Sequence, residues 1–331
     1  MVQLPRRGDH TRRTFLKATG GLTLAGMAGC LSSTESGAVR FILNPAEEQT
    51  DIVQEYTPMK EYLEGETEAE IELIRADSYV DTLESLETDQ GDIADTSPTA
   101  VPAGDGFADI IGMRTAYGGA LYFSTITTLA DSDIESLSDL EGEVMTTGAR
   151  MSTSGTLAPT LMLKDAGLDT GNYPDGDAVD LELQNAPDHD RSREQLVNDD
   201  AIVAAATGAF ASAPQVPQEQ FDDYSEFVEH SSEYEDAGSG IDDENPELRL
   251  LAVSDPLPRA PIMARSEWDG SERDAIETAL LEADETDLVP EDVDDEYELW
   301  FTGIEEAERS DYEPIDDILD ELGLEFQDFG E

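Results

Sequence analysis

The sequence has few basic residues, few histidines and a single cysteine. Lys and Arg total 18 against 78 Asp and Glu, three histidines are scattered along the chain, and the cysteine is Cys30. Duplex binding depends on Lys and Arg that neutralise phosphates, so this composition excludes a general nucleic-acid binder. One cysteine allows no disulfide framework and no cysteine metal cluster, and scattered histidines argue against a transition-metal site. We therefore expect no metal and no other cofactor.

The excess of acidic residues gives a formal net charge of −60. Disordered chains can have such a composition, but hydrophobic residues make up 38% of this sequence and recur in periodic runs along all of it. A folded protein with an acid-coated surface is the better interpretation. At molar salt the Debye length is only about 3 Å, so the self-repulsion of such a surface is largely screened. The composition predicts a salt-loving source, which we expect to be a haloarchaeon.

The N-terminus has the composition of an export signal. Residues 11–17, TRRTFLK, carry a twin arginine, and residues 18–28 are small and apolar. The apolar stretch is too short to span a bilayer, which takes about 20 residues, so it is typical of the central region of a signal peptide. The sequence predicts twin-arginine export and removal of residues 1–29.

The signal ends in a motif for lipid attachment. Small residues precede the cysteine in Met27-Ala28-Gly29-Cys30, with Met at a position where Leu is usual. A small buried cysteine is the alternative, but residues 30–37 are typical of a polar tether. We expect Cys30 to be the lipidated N-terminus of an exported protein anchored to the outer face of the cell membrane. Loss of residues 1–29 removes five basic residues and one acidic residue, so the formal net charge falls from −60 to −64.

The remaining chain alternates short apolar strands with amphipathic helices, which predicts an α/β fold of parallel sheets covered by helices. The predicted strands are residues 39–43, 71–74, 92–96, 108–113, 121–129, 143–147, 179–183, 201–207 and 248–253. Helices are predicted to begin at Thr57 and Ser78, to follow the turn at residues 152–156, and to cover residues 191–197, 271–283 and 315–322. Ser78 and Ser271 are predicted to cap the helices that begin there, and Gly323 is predicted to end the last one.

The strand–helix pattern runs to about residue 128 and then starts again, which predicts two lobes. Lobe I is expected to comprise residues 38–128 and 254–331, and lobe II residues 129–253. The chain would cross between them near residues 122–129 and 254–259. Ligands of open α/β sheets bind at the carboxyl ends of strands, and two such edges that face each other form a cleft.

The strongest local motif is the turn Ser152-Thr153-Ser154-Gly155-Thr156, between a predicted strand and a predicted helix. Hydroxyls and successive N–H groups at a helix N-terminus form an anion site. The alternative is an ordinary helix cap and turn, which needs only one of these hydroxyls.

Other polar and aromatic side chains follow predicted strands, although each of them alone is more often a core or turn residue. They are Tyr79, Ser97, Thr99, Tyr117, Tyr122 and His189. A catalytic set is not visible, because the chain has no P-loop, no G-x-S-x-G elbow and no H-E-x-x-H motif. The residues therefore favour a binding protein over an enzyme.

These motifs resemble the phosphonate- and phosphite-binding proteins of ABC importers, which have the two-lobed periplasmic binding protein type 2 fold, the Venus-flytrap fold with two crossover segments. The resemblance covers about residues 38–320. Its most specific stretch joins Ile134-Glu135-Ser136-Leu137 and Asp139-Leu140-Glu141-Gly142 to the 152–155 turn. Further matches are Asn44-Pro45, Tyr56-Thr57-Pro58, Ser78-Tyr79, Gly91-Asp92-Ile93-Ala94, His189-Asp190, Pro256-Leu257-Pro258 and Tyr312-Glu313-Pro314-Ile315.

The resemblance implies a small phosphorus oxyanion as ligand, and permease and ATPase subunits of an importer as partners. The residues that it implies for gripping the anion are Tyr79, Tyr122, Ser152, Thr153, Ser154 and His189. A neutral His189 could accept a proton from a P–OH group, and a charged one could donate to a full anion.

The sequence departs from the family pattern where binders of amino-phosphonates carry acids. The family usually has an acid after its Pro turn, in a Pro-x-Asp/Asn-Pro pattern, where this chain has Pro258-Arg259-Ala260-Pro261. Its Val-Asp-Ala strand is here Ala201-Ile202-Val203-Ala204, and amino-phosphonate binders have a further acid where this chain has Gly208-Ala209-Phe210. A shift of one residue in the alignment would bring Asp200 or Asp255 to the cleft. Without such a shift, phosphate, phosphite or a simple alkyl-phosphonate is the expected ligand, ahead of aminoethylphosphonate.

Two alternatives use the same cleft. A ligand-sensing receptor subunit would signal rather than transport, and a neighbouring kinase or transducer gene would favour it. An enzyme on this fold would release product from a phosphorus ester. We expect the importer function.

Overall fold

The computed structural model describes residues 37–44, 52–116, 119–150, 152–242, 245–290, 299 and 301–324. The predicted signal, Cys30 and most of the predicted tether lie outside the described residues, as does Tyr117. Within these ranges, no helix combines the length and the apolar character needed to cross a membrane.

The described strands follow the predicted alternation with helices. In chain order they are β1 Val39–Leu43, β2 Ile71–Arg75, β3 Ile93–Asp95, β4 Ala108–Thr115, β5 Leu121–Tyr122, β6 Ser124–Leu129, β7 Val144–Thr147, β8 Glu182–Asn185, β9 Ala204–Gly208, β10 Leu248–Val253, β11 Leu257–Pro258, β12 Pro261–Arg265 and β13 Gly303–Glu305. The α-helices are α1 Ile52–Glu55, α2 Thr57–Thr67, α3 Tyr79–Glu87, α4 Ala100–Ala103, α5 Ala158–Asp165, α6 His189–Asn198, α7 Ala209–Ser212, α8 Ser225–His230, α9 Ser271–Glu282, α10 Glu285–Leu288 and α11 Glu313–Leu322.

Two mixed sheets define the two lobes. Lobe I contains a six-stranded sheet in the order β13-β4-β12-β3-β1-β2, and lobe II a five-stranded sheet in the order β10-β6-β9-β7-β8. Strand β1 is parallel to β2 and β3, and β7 is parallel to β8 and β9. The other pairings are antiparallel, so both sheets are mixed where parallel sheets were expected, while the two-lobed α/β architecture is confirmed.

The two lobes are joined by a small antiparallel ribbon. Strand β5 pairs with β11, with Tyr122 opposite Leu257 and Leu121 opposite Pro258. Directly after the ribbon, β6 enters the sheet of lobe II and pairs with β9 and β10. The lobe boundaries at residues 128 and 254 stay a prediction, and β6, which they assign to lobe I, lies in the second sheet.

Local capping chemistry explains the ends of several helices. Ser78 accepts a hydrogen bond from the Asp81 N–H at 3.1 Å and caps α3 as predicted. Gly323 ends α11 with a φ of 70°, a conformation that glycine adopts without strain. The predicted cap at Ser271 was wrong, because Gly270 with a φ of 113° precedes α9 and no side chain caps that helix.

Apolar side chains fill both faces of each sheet. One of these cores also joins the lobes, because Leu157 and Ala158 of lobe II pack with Tyr312, Ile315 and Leu319 at the C-terminal end of the described chain. Helix α11 therefore contacts both lobes and supports the closed arrangement described below.

Candidate functional site

A cavity of about 270 Å³ lies between the lobes. It is lined by residues that follow strands β1, β3, β7, β8 and β9, together with residues of the β5/β11 ribbon. Because the parallel strands of both sheets point their carboxyl ends at this space, the topology places the cavity where ligands bind in open α/β sheets. The lining residues are Asn44, Tyr79, Ser97, Pro98, Arg114, Ala116, Tyr122, Ser152, Thr153, Ser154, His189, Phe210, Ser232, Glu233, Arg259, Ala260 and Phe301.

The structure brings most of the predicted site residues into this one cavity. Seven of them line it: Tyr79, Ser97, Tyr122, Ser152, Thr153, Ser154 and His189. Thr99 does not line the cavity, but its hydroxyl donates a hydrogen bond to Ser97 Oγ at 2.9 Å. The alternative acids Asp200 and Asp255 are exposed and do not line the cavity.

Ser152, Thr153 and Ser154, here called the serine turn, lead from lobe II into a π-helix, Thr153–Leu157, that α5 continues. Ser152 Oγ accepts from the Gly155 N–H at 3.0 Å, which is the cap that an ordinary helix start would need. The hydroxyls of Thr153 and Ser154 are not used in that way, and both residues are only 2% exposed. Their N–H groups make no hydrogen bond to a described residue. The turn therefore keeps donors that its own backbone does not consume.

Glycines allow the serine turn to lie close to its neighbours. A Cβ on Gly155 would come within 2.9 Å of Gly148 Cα and within 3.0 Å of the His189 ring. Such contacts are too short for real side chains, so only glycine permits this approach. The motif Ser-Thr-Ser-Gly thus fixes the turn against His189 as well as supplying hydroxyls.

His189 begins α6, which Asp188 caps by accepting from the Arg191 N–H at 2.7 Å. The Gly208 N–H donates to His189 Nδ1 at 3.0 Å, and Nε2 lies 3.4 Å from Ser152 Oγ. Burial lowers the pKa of His189 to about 4, so the ring is neutral near pH 7. Because Nδ1 accepts, the neutral ring carries its proton on Nε2. The expectation that neutral His189 accepts a proton was therefore wrong, since its Nε2–H is a donor.

Arg114 of β4 brings a buried positive charge to the cavity. Its Nη1 donates to Asp95 Oδ2 at 3.0 Å, and its guanidinium lies 5.3 Å from the centre of the Phe301 ring. Tyr56 also donates to Asp95 Oδ2. Asp95 is fully buried and holds the arginine in place. Arg114 was missed in the sequence because a lone arginine inside an apolar strand carries no local motif.

Arg259 of the ribbon supplies a second buried guanidinium. Nε donates to the Gly119 carbonyl at 2.9 Å, and Nη2 donates to Ser232 Oγ at 2.9 Å. Nη2 also lies 3.4 Å from Glu233 Oε1. Arg259 was noted in the sequence as a departure from the family pattern. Glu233 was not predicted, because it lies in a segment whose composition is typical of an acidic surface loop.

Contacts across the cavity connect the two lobes. Ser97 Oγ of lobe I lies 3.3 Å from Thr153 Oγ1 of lobe II. Burial raises the pKa of the Tyr122 phenol, while the hydroxyls of Ser154 and Thr153 lower it, which places this phenol beside the serine turn. The Arg259 guanidinium lies 5.9 Å from the centre of the same ring. The lobes are therefore closed around the space that the hydroxyls line.

The two positions where the family pattern expects acids are apolar. Ala260 is 5% exposed in the cavity wall, and Phe210 packs edge-to-face on His189 with 4.9 Å between ring centres. In the part of the chain that the structure describes, no three or more His, Cys, Asp or Glu side chains are grouped so as to hold a metal ion.

The chain matches a family model over residues 41–312, which describes the periplasmic substrate-binding protein of phosphonate ABC transporters. Because the match covers most of the chain, the protein belongs to that family. It is therefore an extracytoplasmic substrate-binding protein of an ABC importer, as the sequence resemblance implied. The sensor alternative is not favoured.

Solved structures show the same fold. A binding protein component of an ABC phosphonate transporter from Pseudomonas aeruginosa superposes with a TM-score of 0.60 at 15% identity, over 87% of each chain. PhnD1 from Prochlorococcus marinus, solved with methylphosphonate, gives 0.62 at 14% identity, over 86% of this chain and 98% of that one. A Xanthomonas citri protein bound to ATP gives 0.62 at 16% identity, over 86% and 97%.

Proposed function

We propose that the protein holds the phosphorus oxyanion of its ligand between the serine turn and His189 of lobe II and the tyrosines Tyr79 and Tyr122. The observation that carries the proposal is the convergence of these side chains on one buried cavity. The side-chain hydroxyls, the Nε2–H of His189 and the N–H groups of Thr153 and Ser154, which bond to no described residue, are all donors, and an oxyanion requires converging donors.

The charge of the cavity suits an anion. Arg114 and Arg259 both line it, paired with Asp95 and Glu233 respectively, while His189 is neutral near pH 7. A bound anion therefore meets two guanidinium groups without first having to protonate the histidine. An ammonium would meet the same two positive charges, and burying it without an additional acid would be costly.

Binding couples to closure of the lobes. Ser97 and Tyr79 belong to lobe I and the serine turn to lobe II, so an anion between them bridges both. A ligand that contacts both lobes stabilises the closed form over the open one, and it shifts the equilibrium by its differential affinity. The permease and the ATPase of the importer would then act on the closed form.

The ligand that fits these features is phosphate, phosphite or a phosphonate without an ammonium group. Methylphosphonate, the ligand in the similar PhnD1 structure, belongs to this set. Ala260 and Phe210 stand where an amino-phosphonate binder would need carboxylates.

The cellular setting that we propose comes from the sequence. Twin-arginine export, cleavage before Cys30 and a lipid on that cysteine would anchor the protein outside the membrane, next to the permease. The acidic surface, with a mature net charge of −64, fits a haloarchaeal exterior.

Competitive calorimetry at molar salt tests the proposal. Phosphate, phosphite, methylphosphonate and aminoethylphosphonate are titrated into the purified protein. We expect 1:1 binding of methylphosphonate and weaker binding of aminoethylphosphonate. Tighter binding of aminoethylphosphonate would contradict the ligand assignment, and no binding of any of the four would contradict the function of the cavity.

A further inference from the structure

The cavity is larger than the group that the serine turn would hold. At about 30 Å³ for each water-sized group, its volume of about 270 Å³ has room for roughly nine such groups. A phosphonate head group has four non-hydrogen atoms, so space remains for a substituent of similar size. The lining outside the proposed head-group site is partly apolar, at Ala116 and Phe301, and partly polar, at Ser232, Glu233 and Arg259.

The carboxylate of Glu233 already has its hydrogen bonds from the protein. Oε1 accepts from the Ser232 hydroxyl at 2.7 Å and lies 3.4 Å from Arg259 Nη2. Oε2 accepts from the Ser231 hydroxyl at 2.6 Å. The charge of Glu233 is therefore paired with that of Arg259, and each of its oxygens accepts a hydrogen bond from a serine hydroxyl inside the fold.

The guanidinium of Arg259, by contrast, has one nitrogen, Nη1, without a hydrogen-bond partner among the described residues. Nε and Nη2 are committed to Gly119, Ser232 and Glu233, while Nη1 makes no hydrogen bond to any described residue. The side chain is only 12% exposed, so water has limited access to it. An uncommitted N–H pair on a buried charge is costly unless a partner arrives.

Arg114 adds a second positive charge to the lining of the cavity. Burial lowers the pKa of Arg259, Glu233 raises it and the charge of Arg114 lowers it again, which shows that the two guanidinium groups influence each other. Both line the same space. Two neighbouring guanidinium groups whose carboxylate partners are already engaged favour a ligand with more than one acidic group.

We infer that Arg259 selects the substituent of the ligand, and that its Nη1 binds a carboxylate carried on the phosphonate. The inference rests on the proposed function, because it needs the phosphonate group to occupy the serine turn. Glu233, Ser232 and the Gly119 carbonyl orient the guanidinium so that its open side faces the substituent. The planar fork of arginine suits a carboxylate, whereas its positive charge repels an ammonium.

The test compares phosphonoacetate with 2-methylpropylphosphonate, in which two methyl groups replace the carboxylate oxygens. Both are titrated calorimetrically at molar salt, with methylphosphonate as the reference for the head-group site. We expect phosphonoacetate to bind at least about tenfold more tightly than its apolar isostere, the lower limit for one hydrogen bond to a charged group. Equal affinities, or tighter binding of the isostere, would overturn the inference.

Variants separate the role of Arg259 from general effects. In Arg259→Gln the ratio of the two affinities should fall to about one, whereas the exposed control Arg309→Gln should keep the wild-type ratio. If Arg259→Gln keeps the wild-type preference for phosphonoacetate over 2-methylpropylphosphonate, the inference is overturned. If that variant does not fold, the preference measured in the wild type decides the inference. If methylphosphonate itself does not bind, the proposed function fails. If it binds and phosphonoacetate shows no preference, only the present inference fails.

Discussion

Replacement of Thr153 by valine is the sharpest test of the serine turn. Valine keeps the shape of threonine but lacks the hydroxyl. Thr153 is 2% exposed, and its hydroxyl lies 3.3 Å from Ser97 Oγ and beside the Tyr122 phenol. Ser97 retains the hydrogen bond from Thr99 at 2.9 Å, so the change should cost the unliganded fold little. Its main effect should fall on the ligand.

The size of the effect follows from the charge of the ligand. Leaving a buried charged group one donor short costs about 1.5–3 kcal/mol. Each 1.4 kcal/mol changes the affinity tenfold, so the Kd for methylphosphonate should rise roughly 10- to 100-fold. Calorimetry at molar salt measures it, and thermal unfolding checks that the variant is folded.

The matched control is Thr278→Val on the exposed face of α9, where the hydroxyl donates only to the Asp274 carbonyl. It should leave the Kd unchanged. If Thr153→Val binds methylphosphonate as tightly as Thr278→Val does, the hydroxyl does not contact the anion and the reasoning is refuted.

Three further predictions concern anchoring, salt and pH. Cys30→Ser should move the protein from the membrane fraction to the medium, and retention in the membrane would show that the lipid motif was misread. With a mature net charge of −64, Tm should rise from dilute buffer to molar salt, and a flat Tm would contradict the screening argument. The pKa of His189 is lowered from 6.5 to about 4, so between these values the unfolded state binds more protons and stability falls as pH falls, by up to about 3 kcal/mol. In His189→Gln this part of the pH dependence should be lost. If the free energy of unfolding of the variant falls with pH as steeply as that of the wild type, the prediction is contradicted.

Features decided within a few residues could be predicted from the sequence. The serine cap of α3 and the serine turn depend on side chains that contact their own backbone neighbours, and the end of α11 depends on the left-handed φ of Gly323. The strand β10 lies where its apolar run predicts it, Leu248–Val253. Such signals are local, so the sequence pattern contains them.

Features decided by distant contacts were harder to predict. The strand expected at residues 179–183 begins later, at Glu182, because the N–H groups of Val179 and Asp180 bond to the Asp169 carbonyl and Val179 is 67% exposed. The hydropathy pattern alone does not predict that turn. Similarly, β9 begins at Ala204, after a turn in which the Ile202 N–H bonds to Asp199.

The polar half of the cavity shows the same limit. Arg259 and Glu233 are 26 residues apart along the chain and meet only because the ribbon and the lobe II loop fold together. Among 78 acidic residues, nothing in the sequence distinguishes Glu233 from those at the surface. Its role follows from burial and contacts.

A crystal structure with methylphosphonate, grown at high salt, tests the central claim most directly. We expect the phosphonate oxygens to lie about 2.7–3.2 Å from the hydroxyls of the serine turn and from Nε2 of His189, with the methyl group toward the remaining cavity. A ligand that binds elsewhere in the cavity, with these donors facing water, would contradict the account.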